Sequence, residues 1–146
     1  MKKLNFLLLA FILLGTLQIT SCKKKSDPKP PAELIRKSWS AKEVKESGTK
    51  VFEAGVTPYA VDYSKFRLEF LNATDVRLTE MDNQVFNGKW ALNGTTLSLT
   101  QLSPEPTATA GKIDYTNVSV TETELKITRT GTNPKTGKSD TEYVLR

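Results

Sequence analysis

Few side chains in this sequence have the type and spacing that catalysis requires. There is no histidine and only one cysteine among the 146 residues, which removes the usual general base, the commonest metal ligand and any internal disulfide. Two carboxylate pairs, Glu80 with Asp82 and Glu122 with Glu124, could in principle hydrolyse a glycoside. Each pair lies at a predicted strand end or turn, where solvated charge is the commoner explanation. We therefore predict a protein that is not an enzyme and that uses neither metal nor cofactor.

The single cysteine, Cys22, follows a segment that is typical of a bacterial lipoprotein signal. Lys2 and Lys3 precede an uncharged, mostly apolar stretch at residues 4–20, which is the order of a charged n-region and an apolar h-region. Residues 19–22, Ile-Thr-Ser-Cys, resemble the lipobox at which bacterial lipoproteins are acylated and cleaved. We predict a signal peptide at residues 1–21 and acyl chains such as palmitate on Cys22. An ordinary secretory signal or an uncleaved anchor is the alternative.

The segment after the cysteine, residues 22–33, is predicted to be an extended tether. It carries four lysines and three prolines and no large apolar side chain. From Ala32 onward, 15 basic and 15 acidic side chains balance, so the positive charge belongs to the ends of the chain and predicts no nucleic-acid partner. The membrane, reached through the lipid anchor, is the predicted partner. Because Lys23 replaces the aspartate that retains lipoproteins at the inner membrane, we expect the outer membrane, on its periplasmic or its surface side.

Residues 34–146 have the length of one small domain and the pattern of an all-β protein. A short helical turn is predicted at residues 32–37. Thereafter polar and apolar residues alternate in segments rich in Thr and Val, separated by Gly, Asn, Pro and Asp. Apart from the hairpins described next, strands are predicted at residues 39–46, 50–54 and 59–63.

The hairpins are predicted independently by their turns and by their hydrophobic patterns, because the turn determines which residues face each other across the pair. An Asn93-Gly94 turn, a loop at residues 71–75, and two successive turns in the last third of the chain set the registers. The predicted cross-strand pairs are Leu92 with Thr95, Trp90 with Leu97, Gly88 with Leu99, Phe70 with Val76, Leu68 with Leu78, Val118 with Ile127, Val120 with Leu125, Ile127 with Tyr143, and Leu125 with Leu145.

A chain of such hairpins forms an antiparallel up-and-down meander of about eight strands. Each strand has one apolar and one polar face, and closure into a barrel removes the unpaired edges. An eight-stranded barrel has an interior that side chains can fill or that can hold one small ligand. The sequence therefore predicts a small β-barrel preceded by a short helical turn.

The order of the motifs along the domain strengthens this prediction. A helical turn runs into a first strand that carries Trp39, and the later strand motifs lie at residues 66–70, 88–94, 96–99, 123–127 and 143–145. This order resembles the lipocalin-like domains of small lipoproteins from Bacteroidetes-type bacteria, and the resemblance covers most of the mature domain. It implies a barrel that takes a small hydrophobic or amphipathic molecule into its mouth.

Six residues are candidates for contact with such a ligand, and each also has an ordinary structural explanation. Trp39 and Trp90 can stack on a ligand or fill the core. Arg129 continues the inward phase of its strand and needs a partner, and by the resemblance we expect it to pack over Trp39 at the closed end. The remaining candidates are Tyr59, Tyr63 and Tyr115, which lie near predicted turns.

Two classes of function fit these observations. The first is a membrane-anchored binding module that holds a small ligand in the barrel, and small inward side chains would favour it. The second is an envelope or surface component with a filled barrel that acts through its loops or faces, especially the irregular segments at residues 54–59 and 102–111. The sequence favours the binding module and leaves the oligomeric state open.

Overall fold

The computed structural model describes residues 28–146. The predicted signal peptide, Cys22 and the first part of the tether lie outside the described residues. The described part contains one short helix, α1, at Pro31–Leu34, and nine strands. The strands are β1 Ser38–Glu46, β2 Thr49–Glu53, β3 Arg67–Phe70, β4 Asp75–Thr79, β5 Val85–Asn93, β6 Thr96–Ser103, β7 Ile113–Val120, β8 Leu125–Thr132 and β9 Ser139–Leu145.

Eight of these strands close into an antiparallel barrel. From β3 to β9 each strand pairs with the next one along the chain, and β1 joins the two ends by pairing with β9 on one edge and with β3 on the other. On this other edge, residues 38–40 of β1 pair with β3, and residues 43–46 of β1 pair with β2. The predicted all-β barrel with a short helical turn is thereby confirmed.

The apolar residues of the strands face the interior in the alternation that a closed sheet requires. In β1 two register irregularities keep Trp39, Ala41, Val44 and Glu46 buried. In β7 an irregularity at Asn117, which has a φ of 53°, shifts the buried phase by one residue. These bulges bend the strands while keeping their side chains directed at one continuous core.

Several predicted registers are confirmed. In the β3–β4 hairpin, Leu68 pairs with Leu78 and Phe70 with Val76. In the last third of the chain the confirmed pairs are Val120 with Leu125, Leu125 with Leu145, and Ile127 with Tyr143. The predicted pair of Val118 with Ile127 is not part of the register, because Val118 lies within the irregularity of β7.

The register of the β5–β6 hairpin was predicted wrongly by two residues. Leu92 pairs with Leu97 instead of Thr95, and the turn consists of Gly94 and Thr95. Gly94 has a φ of 58° and stands at the first central position of the turn, which is the place that a two-residue type II′ turn reserves for glycine. Because the error is an even number of residues, the predicted inward face is still correct.

The strand predicted at residues 59–63 is absent from the described chain, where residues 54–66 form an irregular connection. Pro58 has no N–H for a ladder, and the Asp62 carboxylate accepts a hydrogen bond from the Ser64 N–H at 2.8 Å, as in an Asx turn. Two N–H groups, those of Ala60 and Val61, donate to the Val51 carbonyl at 3.2 and 3.3 Å. The segment therefore lies along β2 without forming a ladder.

The barrel has two different ends. At the helix end lie α1, the start of β1, the end of β9 and the short connections at residues 71–74, 94–95 and 121–124. At the loop end lie the longer connections at residues 54–66, 80–84, 104–112 and 133–138, together with the β1–β2 turn. Within the described residues, no helix has the length and apolar character needed to cross a membrane.

Candidate functional site

Polar side chains are concentrated inside the barrel at the loop end. We call these residues the interior polar cluster, and its members are Glu46, Tyr63, Glu80, Tyr115, Arg129, Thr141 and Tyr143. Every member is less than a tenth exposed. Because buried polar groups are costly unless they are hydrogen-bonded, this is the part of the interior where the sequence departs most from an ordinary core.

Strand register brings four members of the cluster to one level of the barrel. Glu46 of β1 stands opposite Thr141 of β9, Thr141 stands opposite Arg129 of β8, and Arg129 stands opposite Tyr115 of β7. All four belong to the buried phase of their strands. Four consecutive strands thus present a continuous row of polar inward side chains.

An ion pair crosses the interior at this level. The Arg129 Nη1 donates to Glu80 Oε1 at 3.3 Å, and the two side chains are only 9% and 3% exposed. Glu80 follows β4, which lies on the wall of the barrel opposite β8. Burial raises the pKa of the Glu80 carboxyl, and the nearby charges of Arg129 and Lys135 offset this only in part.

Three tyrosines occupy the space beside this ion pair. The Tyr63 hydroxyl donates to Glu46 Oε1 at 2.6 Å. The ring centroid of Tyr143 lies 5.9 Å from that of Tyr63 and 6.1 Å from that of Tyr115, with edge-to-face geometry in both cases. Burial is the largest cause that raises the pKa of each tyrosine, so all three remain neutral. Glu46, which accepts from the Tyr63 hydroxyl, adds to the rise in the pKa of Tyr63, and the negative charge of Glu80 adds a smaller contribution at all three.

Four polar atoms of the cluster have no hydrogen-bond partner within the described protein. These atoms are Glu80 Oε2, Tyr115 Oη, Thr141 Oγ1 and Tyr143 Oη. A carboxylate oxygen can only accept a hydrogen bond, whereas each hydroxyl can both donate and accept. The cluster therefore holds unused capacity for hydrogen bonding that a water molecule or a polar ligand group could satisfy.

Loops at the same end are tied to each other above the cluster. Lys135 Nζ lies 2.5 Å from Asp82 Oδ2 and 2.9 Å from Gln84 Oε1, which joins the β8–β9 loop to the β4–β5 loop. The Asn133 Nδ2 donates to the Tyr63 hydroxyl at 3.4 Å. Asp82 is thus a loop-joining residue, which is a different role from the carboxylate pair with Glu80 that the sequence suggested.

The two tryptophans lie at the other end of the barrel, where their indole N–H groups are satisfied by backbone oxygens. Trp39 Nε1 donates to the Ile35 carbonyl at 2.8 Å, and Trp90 Nε1 donates to the Asn72 carbonyl at 3.0 Å. Trp90 also packs edge-to-face on Phe70, with ring centroids 4.9 Å apart. These contacts are those of core residues that close the helix end.

The expected packing of Arg129 over Trp39 is wrong. Arg129 stands opposite Thr141, which stands opposite Glu46 at the far end of β1, whereas Trp39 lies at the beginning of β1. The cation above the Trp39 ring is Lys37, whose Nζ lies 4.3 Å from the ring centroid. Arg129 finds its counter-charge in Glu80 instead.

The six candidate ligand residues are therefore divided between two places. Tyr63, Tyr115 and Arg129 belong to the interior polar cluster, and Trp39 and Trp90 close the helix end. Tyr59 is half-buried in the irregular segment and packs on Phe52, with ring centroids 4.7 Å apart. These six positions do not form a single site.

Sequence reasoning missed Glu46, Glu80, Thr141 and Tyr143 as members of the site. The available signal was the alternation of inward and outward residues along each strand. Glu80 continues the inward phase of Val76 and Leu78, and Thr141 and Tyr143 continue that of Leu145. An inward arginine on one strand and an inward glutamate on another could have been matched as partners.

Open concavities also mark the outer surface. One, of about 600 Å³, lies on the outer face of β8 and β9 and is lined by polar side chains such as Lys126, Thr128 and Glu142. A second, of about 300 Å³, lies between the 104–112 loop and β8, and Arg129 contributes to its wall. Among residues 28–146, no group of three or more acidic or cysteine side chains is placed to hold a metal ion.

Comparison with known proteins finds structural similarity alone. A lipocalin-like protein from Bacteroides uniformis ATCC 8492 matches with a TM-score of 0.49 and 16% identity, over 77% of this chain and 97% of that chain. An uncharacterized protein from Bacteroides eggerthii DSM 20697 matches with a TM-score of 0.45 and 16% identity, over 75% of this chain and 96% of that chain. No protein-family model and no curated protein matches the sequence.

Proposed function

We propose that this chain is a lipid-anchored, non-enzymatic binding protein that holds a small amphipathic molecule inside its barrel, at the loop end. The observation that carries the proposal is the group of four buried polar atoms without a protein partner. A fold loses roughly 1–3 kcal/mol for each buried polar group left unsatisfied. A protein that keeps several such groups at one place in its interior is suited to binding a molecule that satisfies them.

The surroundings of the cluster suit the apolar part of such a ligand. Partly buried apolar side chains pack against the core near the loop end, among them Val51, Tyr59, Val61 and Met81. Ligand sites of this kind are mostly apolar, with a few polar groups that orient the ligand. The polar cluster would hold the head group of the ligand, and these side chains would contact its apolar part.

A second function, that of a filled barrel acting through its surface, is favoured by the rest of the interior. Toward the helix end, large side chains such as Trp39, Phe66 and Phe86 are completely or almost completely buried. These side chains fill the interior toward the helix end. The large exposed apolar residues, Val56, Leu71 and Val85, belong to three different elements.

Native mass spectrometry distinguishes the two functions. The chain should be purified gently from its original host, and anything that it carries should then be extracted under denaturing conditions. A bound molecule of defined mass supports the binding function. A clean protein mass, together with failure to bind the uncharged apolar dye Nile red, would favour the filled barrel.

The anchor is a separate part of the proposal and has its own test. It is supported by the lipobox-like residues 19–22 and by the apolar stretch that precedes them. Cells fed an alkyne-tagged palmitate should label the wild-type chain, and the Cys22→Ala variant should carry no label. Label that persists in Cys22→Ala would refute acylation at this cysteine.

A further inference from the structure

We infer that the interior polar cluster selects a ligand whose head group donates hydrogen bonds and carries no negative charge, an alcohol or an amine and not a carboxylate or phosphate. This inference rests on the proposed binding function and specifies the chemistry of its ligand. Its evidence is the balance of charge and of hydrogen-bonding groups inside the loop end of the barrel.

The charge balance of the cluster is unfavourable to an anion. Two buried carboxylates, Glu46 and Glu80, accompany one buried guanidinium, that of Arg129. Arg129 is already paired with Glu80. Within the described residues Glu46 has no cationic partner, and its carboxylate accepts a hydrogen bond from the neutral Tyr63. When both carboxylates are ionised, a negatively charged head group would therefore add a third buried negative charge to a single positive one.

The neighbouring lysine does not change this balance. Besides Arg129, the charge of Lys135 in the β8–β9 loop also acts on Glu80. The Nζ of Lys135 is, however, engaged by Asp82 and Gln84. Its charge is thus compensated by Asp82 outside the cluster. The interior keeps an excess of negative charge when both of its carboxylates are ionised.

The unused hydrogen-bonding groups point in the same direction. Glu80 Oε2 lacks a donor, and the hydroxyls of Tyr115, Thr141 and Tyr143 can each accept as well as donate. An alcohol can donate to Glu80 Oε2 and accept from a tyrosine hydroxyl. An ammonium group can donate to several of these oxygens and also compensates the excess charge. A carboxylate can only accept, and it would leave Glu80 Oε2 unsatisfied.

The row of inward residues on neighbouring strands directs these hydrogen-bonding groups into the interior of the barrel at one level. Tyr115, Arg129 and Thr141 are directly opposite one another on β7, β8 and β9, and Glu80 reaches Arg129 from the opposite wall. Tyr143 lies between the rings of Tyr63 and Tyr115. A head group that reached this level of the barrel would meet Glu80 and the tyrosine hydroxyls together.

The test uses three ligands that share one apolar chain: decanol, decylamine and decanoate. A fragment that begins at Pro28 contains every described core residue, since these run from Ile35 to Leu145. Each ligand, below its micellar concentration, is titrated against this fragment loaded with Nile red. We expect decanol and decylamine to displace the dye at concentrations at least about tenfold lower than decanoate, which corresponds to about 1.4 kcal/mol.

Two variants show whether the cluster causes the preference. Glu80→Gln removes one carboxylate and should narrow the difference between decylamine and decanoate. Tyr115→Phe should weaken decanol binding, and it keeps the test available if Glu80→Gln does not fold. The matched control is Glu142→Gln, because Glu142 lies on β9 beside Thr141 and Tyr143 but is exposed on the outer face. This control should preserve the wild-type order of the three ligands.

The possible outcomes separate this inference from the proposed function. Preferred binding of decanoate, or equal binding of all three ligands, overturns the head-group inference and leaves a ligand-binding barrel. A preference that Glu142→Gln abolishes would place the ligand on the outer face and would also overturn the inference. Failure of Nile red and of all three ligands to bind removes the proposed function itself.

Discussion

The two ends of the barrel treat their buried polar groups in opposite ways. At the helix end, the indole N–H groups of Trp39 and Trp90 each donate to a backbone carbonyl within 3.0 Å. At the loop end, Glu80, Tyr115, Thr141 and Tyr143 each retain a buried polar atom without a protein partner. One end satisfies these groups within the protein, and the other leaves four buried polar atoms without a protein partner.

Under the proposed function, the unpartnered polar atoms of the loop end are the groups that a ligand would satisfy. Sequences that fold well usually satisfy their buried polar groups, and the exceptions concentrate at functional sites. The helix end therefore acts as the stable base of the barrel. The loop end keeps polar groups whose cost is offset when water or a ligand satisfies them.

The largest expected effect comes from breaking the ion pair at the loop end. Arg129→Met leaves Glu80 buried without the guanidinium that now lies 3.3 Å away. Loss of one partner of a buried ion pair typically costs about 3–5 kcal/mol. We expect the free energy of unfolding at neutral pH to fall by about this amount, measured by urea denaturation followed by circular dichroism.

A double variant serves as the control for this prediction. Glu80→Leu combined with Arg129→Met removes both charges and should recover most of the lost stability, because an apolar pair of similar volume is often no less stable. A loss below about 1 kcal/mol in Arg129→Met would resemble an exposed ion pair. Such a result would mean that water already fills the loop end.

A smaller loss is expected when the helix end is altered. Trp39→Phe removes a hydrogen bond to the Ile35 carbonyl and part of a completely buried side chain. We expect a loss of about 1–3 kcal/mol in the free energy of unfolding, and Nile red binding should remain unchanged. Weaker dye binding in a folded Trp39→Phe protein would contradict the division of roles between the two ends.

The strands and most of their registers are the parts that the sequence predicted well. The β3–β4 hairpin and the pairing of Ile127 with Tyr143 were both predicted from alternation and turn length. The β5–β6 register failed because either Asn93-Gly94 or Gly94-Thr95 could form the two-residue turn, and the hydrophobic pattern fits both. The false strand at residues 59–63 had the composition of a strand but contained no evidence of a partner.

The cluster at the loop end was harder to predict, because its members come from six separated parts of the chain. Tyr63, Tyr115 and Arg129 were recognised individually by residue type. The pairing of Arg129 with Glu80 depends on which walls of the barrel face each other, and this follows only from the closure between β1 and β9. Once the β1–β9 pairing is known to close the barrel, the alternation of inward and outward residues along β4 and β8 is sufficient to place Glu80 and Arg129 in the interior.

The pH dependence of stability tests whether the loop end excludes water. Burial raises the pKa of Glu80 above its ordinary value of 4.5, so the folded protein binds this proton more tightly than the unfolded chain does. The stability contributed by this group is complete below pH 4.5 and is lost as the pH rises through the raised pKa. One proton contributes a slope of at most about 1.4 kcal/mol per pH unit.

The comparison of wild type with Glu80→Gln isolates this slope. Exposed acids such as Asp75 and Glu124, whose pKa values are lowered by ion pairs, contribute with the opposite sign and are unchanged by the variant. We expect the stability of the wild type, relative to Glu80→Gln, to decrease as the pH rises from 4.5 toward neutrality. Identical pH profiles from urea denaturation would show that Glu80 is hydrated in the folded protein.

The smallest expected change in stability comes from Tyr143→Phe, and its comparison with Tyr63→Phe is the sharpest. The Tyr63 hydroxyl donates to Glu46 at 2.6 Å, so its removal should cost about 1.5–3 kcal/mol, as for other hydrogen bonds to charged groups. The Tyr143 hydroxyl has no protein partner, so its removal breaks no hydrogen bond within the protein and should leave the free energy of unfolding unchanged or raise it. Nile red displacement by decanol should nevertheless weaken in Tyr143→Phe. If Tyr143→Phe destabilises the protein as much as Tyr63→Phe and leaves decanol binding intact, the Tyr143 hydroxyl supports the fold, and the loop end is as complete as the helix end.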